Sequence, residues 1–527
     1  YTEEASMQPI EICECCLPQP ECPEGSFLNE AGECCLIEYG ETIISESDNY
    51  PEGGYLEKVN TIKPYTNDPN KTVTFKVSDQ LIKDVKAARP RKFNLKIPFL
   101  DNKDLILSLE RTSVLKKGYK ILSTNSKGET KPIRYKSQVK TYKVRGTSKK
   151  DRWKGTISFF NNGLSGTIRK NGKAYEISKD DTNHVLFDAD NTIKKSIFEC
   201  AADTIVENIE PYRKSLDINE EGDIVPGVDP DPLDYNGRVA CITVAPQVDW
   251  FTYNQIVNGY GWTETELWDW VVSIITGVNE VYEDELNTSL IVGTGHQWET
   301  VVGEPYQNMN PDGSLSDSEV ANVYLNRFQD EWNGVGTSPI SAELLNIERT
   351  VAIAFSTLRA SGYAFVNTLC VPTSAYGVCC TLNTGFNPDT DSDFTYTGGS
   401  SWTLKVFAHE LGHICAGRHT HDCIFEPDSD LNFPGDGNGG AGAIDNCGRH
   451  NLNVNPYDTG CMDDNPWWVQ GQAGYSGATD ANDNIIDYGT LMSYCHWGLY
   501  YDHTWFDSDN AVNMKFEFHP VQKVQRM

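Results

Sequence analysis

The sequence predicts a multidomain protein in which a β-rich domain precedes an α/β domain with a mostly parallel sheet. The chain has 527 residues, which is too many for one ordinary hydrophobic core. Strand alternation and hairpin signals fill the first part, whereas strands alternate with helices in the second. The predicted division is a Cys-rich N-terminal segment (1–50), a β-rich domain (51–200), an acidic linker (201–236) and an α/β domain (237–527).

The N-terminal segment is rich in cysteine and poor in apolar residues. Its cysteines are Cys13, Cys15, Cys16, Cys22, Cys34 and Cys35. This composition is typical of a disulfide-stapled knob or an anchoring tail, which could attach the chain to a larger assembly. The chain begins at Tyr1 without an apolar leader, so we expect either that a signal was removed or that this is a piece of a longer protein. The total of 16 cysteines favours an extracellular or secreted location.

The β-rich domain is predicted from period-two patterns. Phe93, Leu95 and Ile97 alternate with polar residues, and the pair Asn171-Gly172 separates two strand-like runs. An Asn-Gly pair between such runs is a strong hairpin signal. The linker that follows, with SLDINEEGDIVPGVDPDPLDYNG just after the dibasic Arg213-Lys214, has too little apolar content to pack.

The α/β domain is predicted from buried strands and one long amphipathic helix. Residues 239–244, 290–292 and 351–355 read as strands, and residues 263–285 have helical spacing. Thr263 and Glu266 form a candidate capping box at the start of that helix. Such alternation predicts a mostly parallel sheet.

Charge is distributed unevenly between the two parts. The whole chain has a net charge of -31, but residues 1–200 carry +4 and residues 201–527 carry -35. An acidic surface of this size disfavours nucleic acid and anionic membranes as partners. The chain also lacks an uncharged apolar run of about 18 residues, so we expect no membrane insertion.

The segment 407–423, which reads FAHELGHICAGRHTHDC, predicts a zinc site. His409 and His413 are four residues apart, so on a helix their imidazoles lie on one face and can bind one Zn²⁺. Zinc held by three protein nitrogens keeps a fourth position for water and lowers the pKa of that water to about 7. Glu410 is then the candidate general base. Gly417 could end the helix with a positive φ and bring His419 to the metal, and His421 is the alternative third ligand.

HELGHICAGRH resembles the extended zinc motif of metzincin proteases. GGAGAIDNC, GTLMSYCH and HTHDC are similar to pieces of bacterial reprolysin-like (adamalysin-type) enzymes, over approximately residues 237–505. This resemblance implies a metzincin-type catalytic domain with a zinc-binding active-site helix, and it makes Met492 the candidate Met-turn residue. It also implies that the residues from PIRYKSQVKTYKV to NGKAYEI belong to a β-rich propeptide domain. The family motif has Gly where this chain has Ala416.

Three further residues or regions are candidates with open alternatives. Tyr494 matches a Met-x-Tyr arrangement that stabilises the oxyanion, or else it packs beneath the site. Cys200 could ligate zinc as a cysteine switch in a latent enzyme, or else join one of five disulfides among the ten cysteines from 200 onward. The segment EPDSDLNFPGDGNGG offers oxygen ligands for Ca²⁺, or else it is a solvated acidic loop.

We therefore interpret the chain as a zinc metalloendopeptidase that cleaves protein or peptide substrates and is made as a latent proenzyme. The propeptide would inhibit in cis, held by its opposite charge, until the linker is cut near Arg213-Lys214. The alternative is a non-catalytic adhesive or structural protein on a virion or surface appendage, which the Ala416 departure motivates.

Overall fold

Two β-sheets pack around a shared long helix in the computed structural model of the protein. The structure describes residues 56–59, 66, 68–146, 153–170, 173–180, 182–189, 240–310, 313–358, 362–369, 371–380, 382, 399–417, 419, 488–489 and 491–492, together with the short strands 26–28, 34–36 and 513–514.

The secondary structure is numbered in chain order within these ranges. The strands are β1 (Ser26–Leu28), β2 (Cys34–Leu36), β3 (Leu56–Val59), β4 (Thr72–Val77), β5 (Lys92–Phe99), β6 (Lys103–Thr112), β7 (Leu115–Thr124), β8 (Thr130–Ile133), β9 (Lys140–Arg145), β10 (Lys154–Phe159), β11 (Leu164–Lys170), β12 (Lys173–Asp180), β13 (Asn183–Asp188), β14 (Ala240–Val248), β15 (Thr288–Trp298), β16 (Val351–Phe355), β17 (Tyr363–Ala364), β18 (Tyr376–Cys379), β19 (Tyr488–Gly489) and β20 (Asn513–Met514). The helices are α1 (Asp79–Ala88), α2 (Trp250–Tyr253), α3 (Glu264–Leu286), α4 (Asp317–Trp332), α5 (Ser341–Leu345) and α6 (Gly399–Ile414).

The N-terminal region forms a nine-stranded antiparallel sheet. Its order is β3-β4-β13-β12-β11-β10-β9-β6-β5. The predicted alternation appears in β5, where Leu95 and Ile97 are buried. Strands β11 and β12 pair from Lys170↔Lys173 outward, so the predicted hairpin is present, although its two turn residues lie outside the described ranges. A β-rich N-terminal region is thus confirmed.

A seven-stranded sheet carries the second part of the chain, in the order β17-β18-β16-β14-β15-β7-β8. The four pairings between β18 and β7 are parallel, and both edge strands are antiparallel to their neighbours. Strand β14 extends the predicted 239–244 run, and β16 coincides with the predicted 351–355 run.

Two strands of this sheet come from the N-terminal region. Hairpin β7–β8 precedes the linker in sequence, whereas β15 follows it, yet β7 pairs in parallel with β15. Just before β7, the Val292 amide of β15 donates to the Val114 carbonyl across 2.6 Å. Without β7, the polar backbone groups along that edge of β15 would lack these partners. The seven-stranded sheet therefore does not correspond to one continuous predicted domain, because β7 pairs along an edge of β15 that would otherwise be open.

Helix α3 is the element that both sheets share. It begins with the predicted capping box between Thr263 and Glu266 and ends at Asn287, which takes a left-handed φ of 51°. A Cβ added at its Gly277 would lie 2.5 Å from Leu404 Cδ1 of α6 and 3.3 Å from Thr156 Oγ1 of β10. Only glycine lets these three elements approach so closely.

Ion pairs cross from the nine-stranded sheet to α3. Arg169 on β11 lies 3.0 Å from Glu280, and both side chains are buried. Two lysines of the same sheet, Lys143 and Lys154, pair with Glu283 and Asp284. The opposite charges of the two parts of the chain therefore meet along one face of this helix.

Among the cysteines whose side chains the structure describes, no two are joined by a disulfide. Cys379 and Cys380 are buried thiols. The expected framework of five disulfides is therefore not supported for this set. None of the helices within the described ranges is long and apolar enough to cross a membrane.

Candidate metal centre

Helix α6 presents His409 and His413 from one face, one turn apart. Both side chains are buried. Nδ1 of His409 lies 2.6 Å from the Leu491 carbonyl oxygen, and Nδ1 of His413 lies 2.7 Å from the Gly417 carbonyl oxygen. A carbonyl oxygen can only accept, so each Nδ1 carries the proton and each neutral ring directs the lone pair of its Nε2 into the same space.

The helix ends in a tight turn that reverses the chain toward His419. The Ala416 amide donates to the His413 carbonyl, and the Gly417 amide donates to the Gly412 carbonyl at 2.7 Å. This pair of bonds is the Schellman pattern, which needs a left-handed residue at the position of Ala416. Ala416 has that conformation, with a φ of 71°. We expected Gly417 to take the positive φ, but the turn is made one residue earlier.

The chain segment before the helix closes the same turn. The Asn367 amide donates to the His413 carbonyl, and the amides of Thr368 and Leu369 both donate to the Ile414 carbonyl. These bonds satisfy carbonyls that the last helical turn leaves open. The bend that carries His419 is therefore held on both sides.

The three histidines converge on one point. Nε2 of His409 lies 3.1 Å from Nε2 of His413 and 3.3 Å from Nε2 of His419, and the ligand atoms of all three lie within 4.8 Å of one another. Tetrahedral Zn²⁺ with Zn–N bonds of 2.0–2.1 Å separates its ligands by about 3.4 Å. The Nε2 lone pairs of His409 and His413 would repel each other at this distance without a cation between them. The donor set therefore fits a zinc ion.

Glu410 is fully buried on the same helix. A Cβ added at Gly377 of β18 would lie 3.8 Å from Glu410 Cβ, so the helix packs closely on the sheet here. Burial raises the pKa of the Cys379 thiol, and the nearby Glu410 carboxylate raises it further. The same two influences, with Asp249, raise the pKa of Cys380. Both thiols thus remain protonated beside the Glu410 carboxylate.

Leu491 and Met492 form a fully buried turn at the histidine cluster. The Leu491 carbonyl accepts the proton of His409 Nδ1, and the Met492 side chain belongs to the main hydrophobic core. Met492 therefore lies in a turn that supports a candidate ligand directly.

Several predicted site residues fall outside the described ranges. They are Cys200, His421, Tyr494, the Asp- and Gly-rich candidate calcium segment and the linker. Sequence reasoning did not find the carbonyl groups of Leu491 and Gly417, which orient the histidines. No side-chain pattern identifies a backbone carbonyl, so only their position beside the Met-turn and helix-end signals could have suggested them.

Part of the chain is similar to a known protein family. Residues 252–441 match the Reprolysin_5 model, described as metallo-peptidase family M12. A solved structure of metalloproteinase-II from Bacteroides fragilis aligns with 65% of this chain and 86% of its own chain, at 10% identity and a TM-score of 0.32.

A solved structure titled as a chaperone-substrate complex aligns with 50% of this chain and 31% of its own, at 10% identity and a TM-score of 0.22. No curated protein matches the sequence. The match to metallo-peptidase family M12 spans residues 252–441 and so includes all three histidines of the cluster.

Proposed function

We propose that the protein is a zinc-dependent endopeptidase. The observation that carries the proposal is the convergence of the Nε2 atoms of His409, His413 and His419, with His409 Nε2 at 3.1 Å from His413 Nε2 and 3.3 Å from His419 Nε2. A metallopeptidase of family M12 requires a metal, and a set of three imidazoles is a zinc donor set that leaves a fourth position open. Substrates are therefore proteins or peptides.

Glu410 acts as the general acid and base in this proposal. Zinc, when bound, lowers the pKa of water and polarises a carbonyl group. Glu410 accepts the proton from the attacking water and then transfers it to the leaving amine. Its burial beside neutral thiols excludes solvent that would compete for the proton. The backbone carbonyls that accept the Nδ1 protons of His409 and His413 fix the tautomer in which Nε2 can ligate a metal.

The test is the variant Glu410→Gln in the full chain. We expect peptide hydrolysis to fall by at least 10²-fold, the usual scale for a general base, while one zinc per chain remains bound. Glu343→Gln, an exposed change on α5, is the matched control and should keep full activity. Equal activity of Glu410→Gln and wild type at equal zinc content would remove Glu410 from the mechanism, and absence of bound zinc would remove the site.

We propose further that the chain is made as a latent proenzyme in an extracellular setting. The ion pairs of Arg169, Lys143 and Lys154 with α3 support a cis interaction between the two parts. The β7–β15 pairing predicts that both fragments stay together after the linker is cut. Activity should then be compared between the intact chain and the chain cut near Arg213-Lys214. Equal rates would contradict latency, and separation of the fragments in native buffer would contradict the shared sheet.

The alternative of a non-catalytic binder loses its main motivation. It was suggested by Ala416 at the family's glycine position, yet Ala416 adopts the left-handed conformation and His419 reaches the cluster. A surface-appendage location, attachment through residues 1–50 and a calcium requirement stay as predictions of the sequence.

A further inference from the structure

A cavity of about 410 Å³ lies where the N-terminal region meets helix α3. Arg89, Arg111 and Lys140 of the N-terminal region line it on one side, and Val272 and Thr276 of α3 line it on the other. Ser113, Ser137 and three threonines add hydroxyl groups to the lining. We call this cavity the junction pocket. It lies apart from the histidine cluster and shares no residue with it.

The cations of the junction pocket lack acidic partners among the described residues. No carboxylate oxygen in that part of the chain lies within 4 Å of Arg89, Arg111 or Lys140, whereas Lys143, Lys154 and Arg169 at the same junction all have one. Asp269 is the nearby acid, and its oxygens already accept from Tyr135 and from two backbone amides. Residues 1–200 carry a net charge of +4, and these three cations of that region gather around one cavity without a described carboxylate to pair with.

The cations are held in place by backbone contacts. Arg111 Nη1 donates to the Arg89 carbonyl at 2.7 Å, and Lys140 Nζ donates to the Val139 carbonyl at 3.1 Å. Arg89 itself is the left-handed cap of α1, with a φ of 47°. Burial lowers the pKa of Lys140, repulsion from Arg89 lowers it further, and attraction to Asp269 opposes both. An anion in the cavity would stabilise the charged form of Lys140 further.

We propose that the junction pocket binds a phosphate or sulfate group. A tetrahedral oxyanion matches the guanidinium and ammonium donors, since charge-assisted bonds of Arg and Lys to such oxygens are strong. The hydroxyl groups of Thr112 and Ser113 supply further donors, whereas those of Ser137 and Thr276 already donate to backbone carbonyls. The group can be a free inorganic anion or a substituent of a sulfated glycan, since both present the same oxygens. Because the pocket walls come from both parts of the chain, its ligand stabilises their contact.

The probe for the test is inorganic phosphate, added to the intact chain. We expect a saturable rise in the unfolding temperature, following mass action, that sodium chloride at equal ionic strength does not reproduce. Arg111→Gln and Lys140→Gln should each weaken phosphate binding about tenfold, as loss of one charged hydrogen bond predicts. Lys103→Gln is the matched control, because Lys103 is 73% exposed and lies 3.8 Å from Asp101, so it should bind phosphate as wild type does.

A sulfated oligosaccharide, tested in parallel by calorimetry, distinguishes the sources. Binding tighter than that of phosphate, and lost in Arg111→Gln, assigns the pocket to a glycan, whereas phosphate binding alone assigns it to a free anion. The proposal is overturned if neither probe binds saturably, or if Lys103→Gln weakens binding as much as the pocket variants do. None of these measurements depends on peptidase activity.

Discussion

His409 donates its Nδ1 proton to the carbonyl oxygen of Leu491 across 2.6 Å, although the two residues are 82 positions apart. The bond sets the tautomer of one candidate zinc ligand, and such outer contacts usually change metal affinity by 10- to 100-fold when they are lost. The neighbouring Met492 side chain, buried in the core, holds the carbonyl in place.

We therefore expect Met492→Ala to weaken zinc binding at least tenfold and to lower the free energy of unfolding by about 2–5 kcal/mol, as deletion of a buried Met usually does. Met492→Leu keeps the volume and should cost less than about 1.5 kcal/mol. Competition with a chelator gives the affinity, and urea titration gives the stability. Wild-type zinc affinity in Met492→Ala would show that the turn does not support the ligand.

Ala416 occupies a backbone conformation that suits glycine. A residue with a Cβ in the left-handed conformation costs about 1–2 kcal/mol, and glycine would remove this cost. Part of that stabilisation is offset because an unfolded glycine has a larger conformational entropy. Ala416→Gly should therefore raise the free energy of unfolding by about 0.5–1 kcal/mol. The same change at Ala408, inside α6, should lower it by about 1 kcal/mol or more. Thermal unfolding of both variants checks the opposite signs, and a destabilised Ala416→Gly would contradict the turn.

The buried Arg169–Glu280 pair connects β11 to α3 at 3.0 Å. Arg169→Gln leaves a buried carboxylate without its charge partner, so we expect a loss of about 3–5 kcal/mol in unfolding free energy. Lys92→Gln removes an ion pair in which the lysine is 62% exposed, and it should cost less than about 1 kcal/mol. Denaturant titration compares the two. Similar small losses in both variants would show that the pair does not stabilise the junction.

Because His296 is buried, we expect the free energy of unfolding to fall in acid. Burial lowers its pKa to about 3, while the unfolded chain has the usual value of 6.5. Between these two pH values the unfolded state binds more protons than the folded state. The contribution of His296 to the free energy of unfolding is therefore full above about pH 6.5 and is lost as the pH falls toward 3. The slope is at most about 1.4 kcal/mol per pH unit.

His296→Gln should remove this share of the slope between pH 5 and 7.5, measured by urea unfolding of zinc-free protein. Thr124→Val removes the 2.8 Å contact from Thr124 Oγ1 to His296 Nε2 but keeps the titrating ring, so it should keep the slope. A slope that is unchanged in His296→Gln would place the pH dependence elsewhere, for example at His184, whose pKa burial also lowers to about 3.

Local patterns sufficed for much of this structure. The capping box of Thr263 and Glu266, the β11–β12 hairpin and strand β16 depend on residues close in sequence, so periodicity and cap chemistry predicted them. His409 and His413 are one helical turn apart, and their shared face follows from helix geometry. The family match likewise rests on residues that the sequence displays.

Other features depended on contacts between distant parts of the chain, which no local pattern encodes. Hairpin β7–β8 belongs in sequence to the N-terminal region, but β7 pairs with the edge of β15 in the other sheet. The Leu491 carbonyl lies at His409 only because two parts of the chain that are 82 residues apart pack together. Ala416 took the left-handed turn that its sequence disfavours, because hydrogen bonds at the helix end outweighed a local preference of about 1–2 kcal/mol. The sequence by itself thus determined the elements and the chemistry of the site, whereas tertiary packing decided which elements share a sheet and how the histidines are oriented.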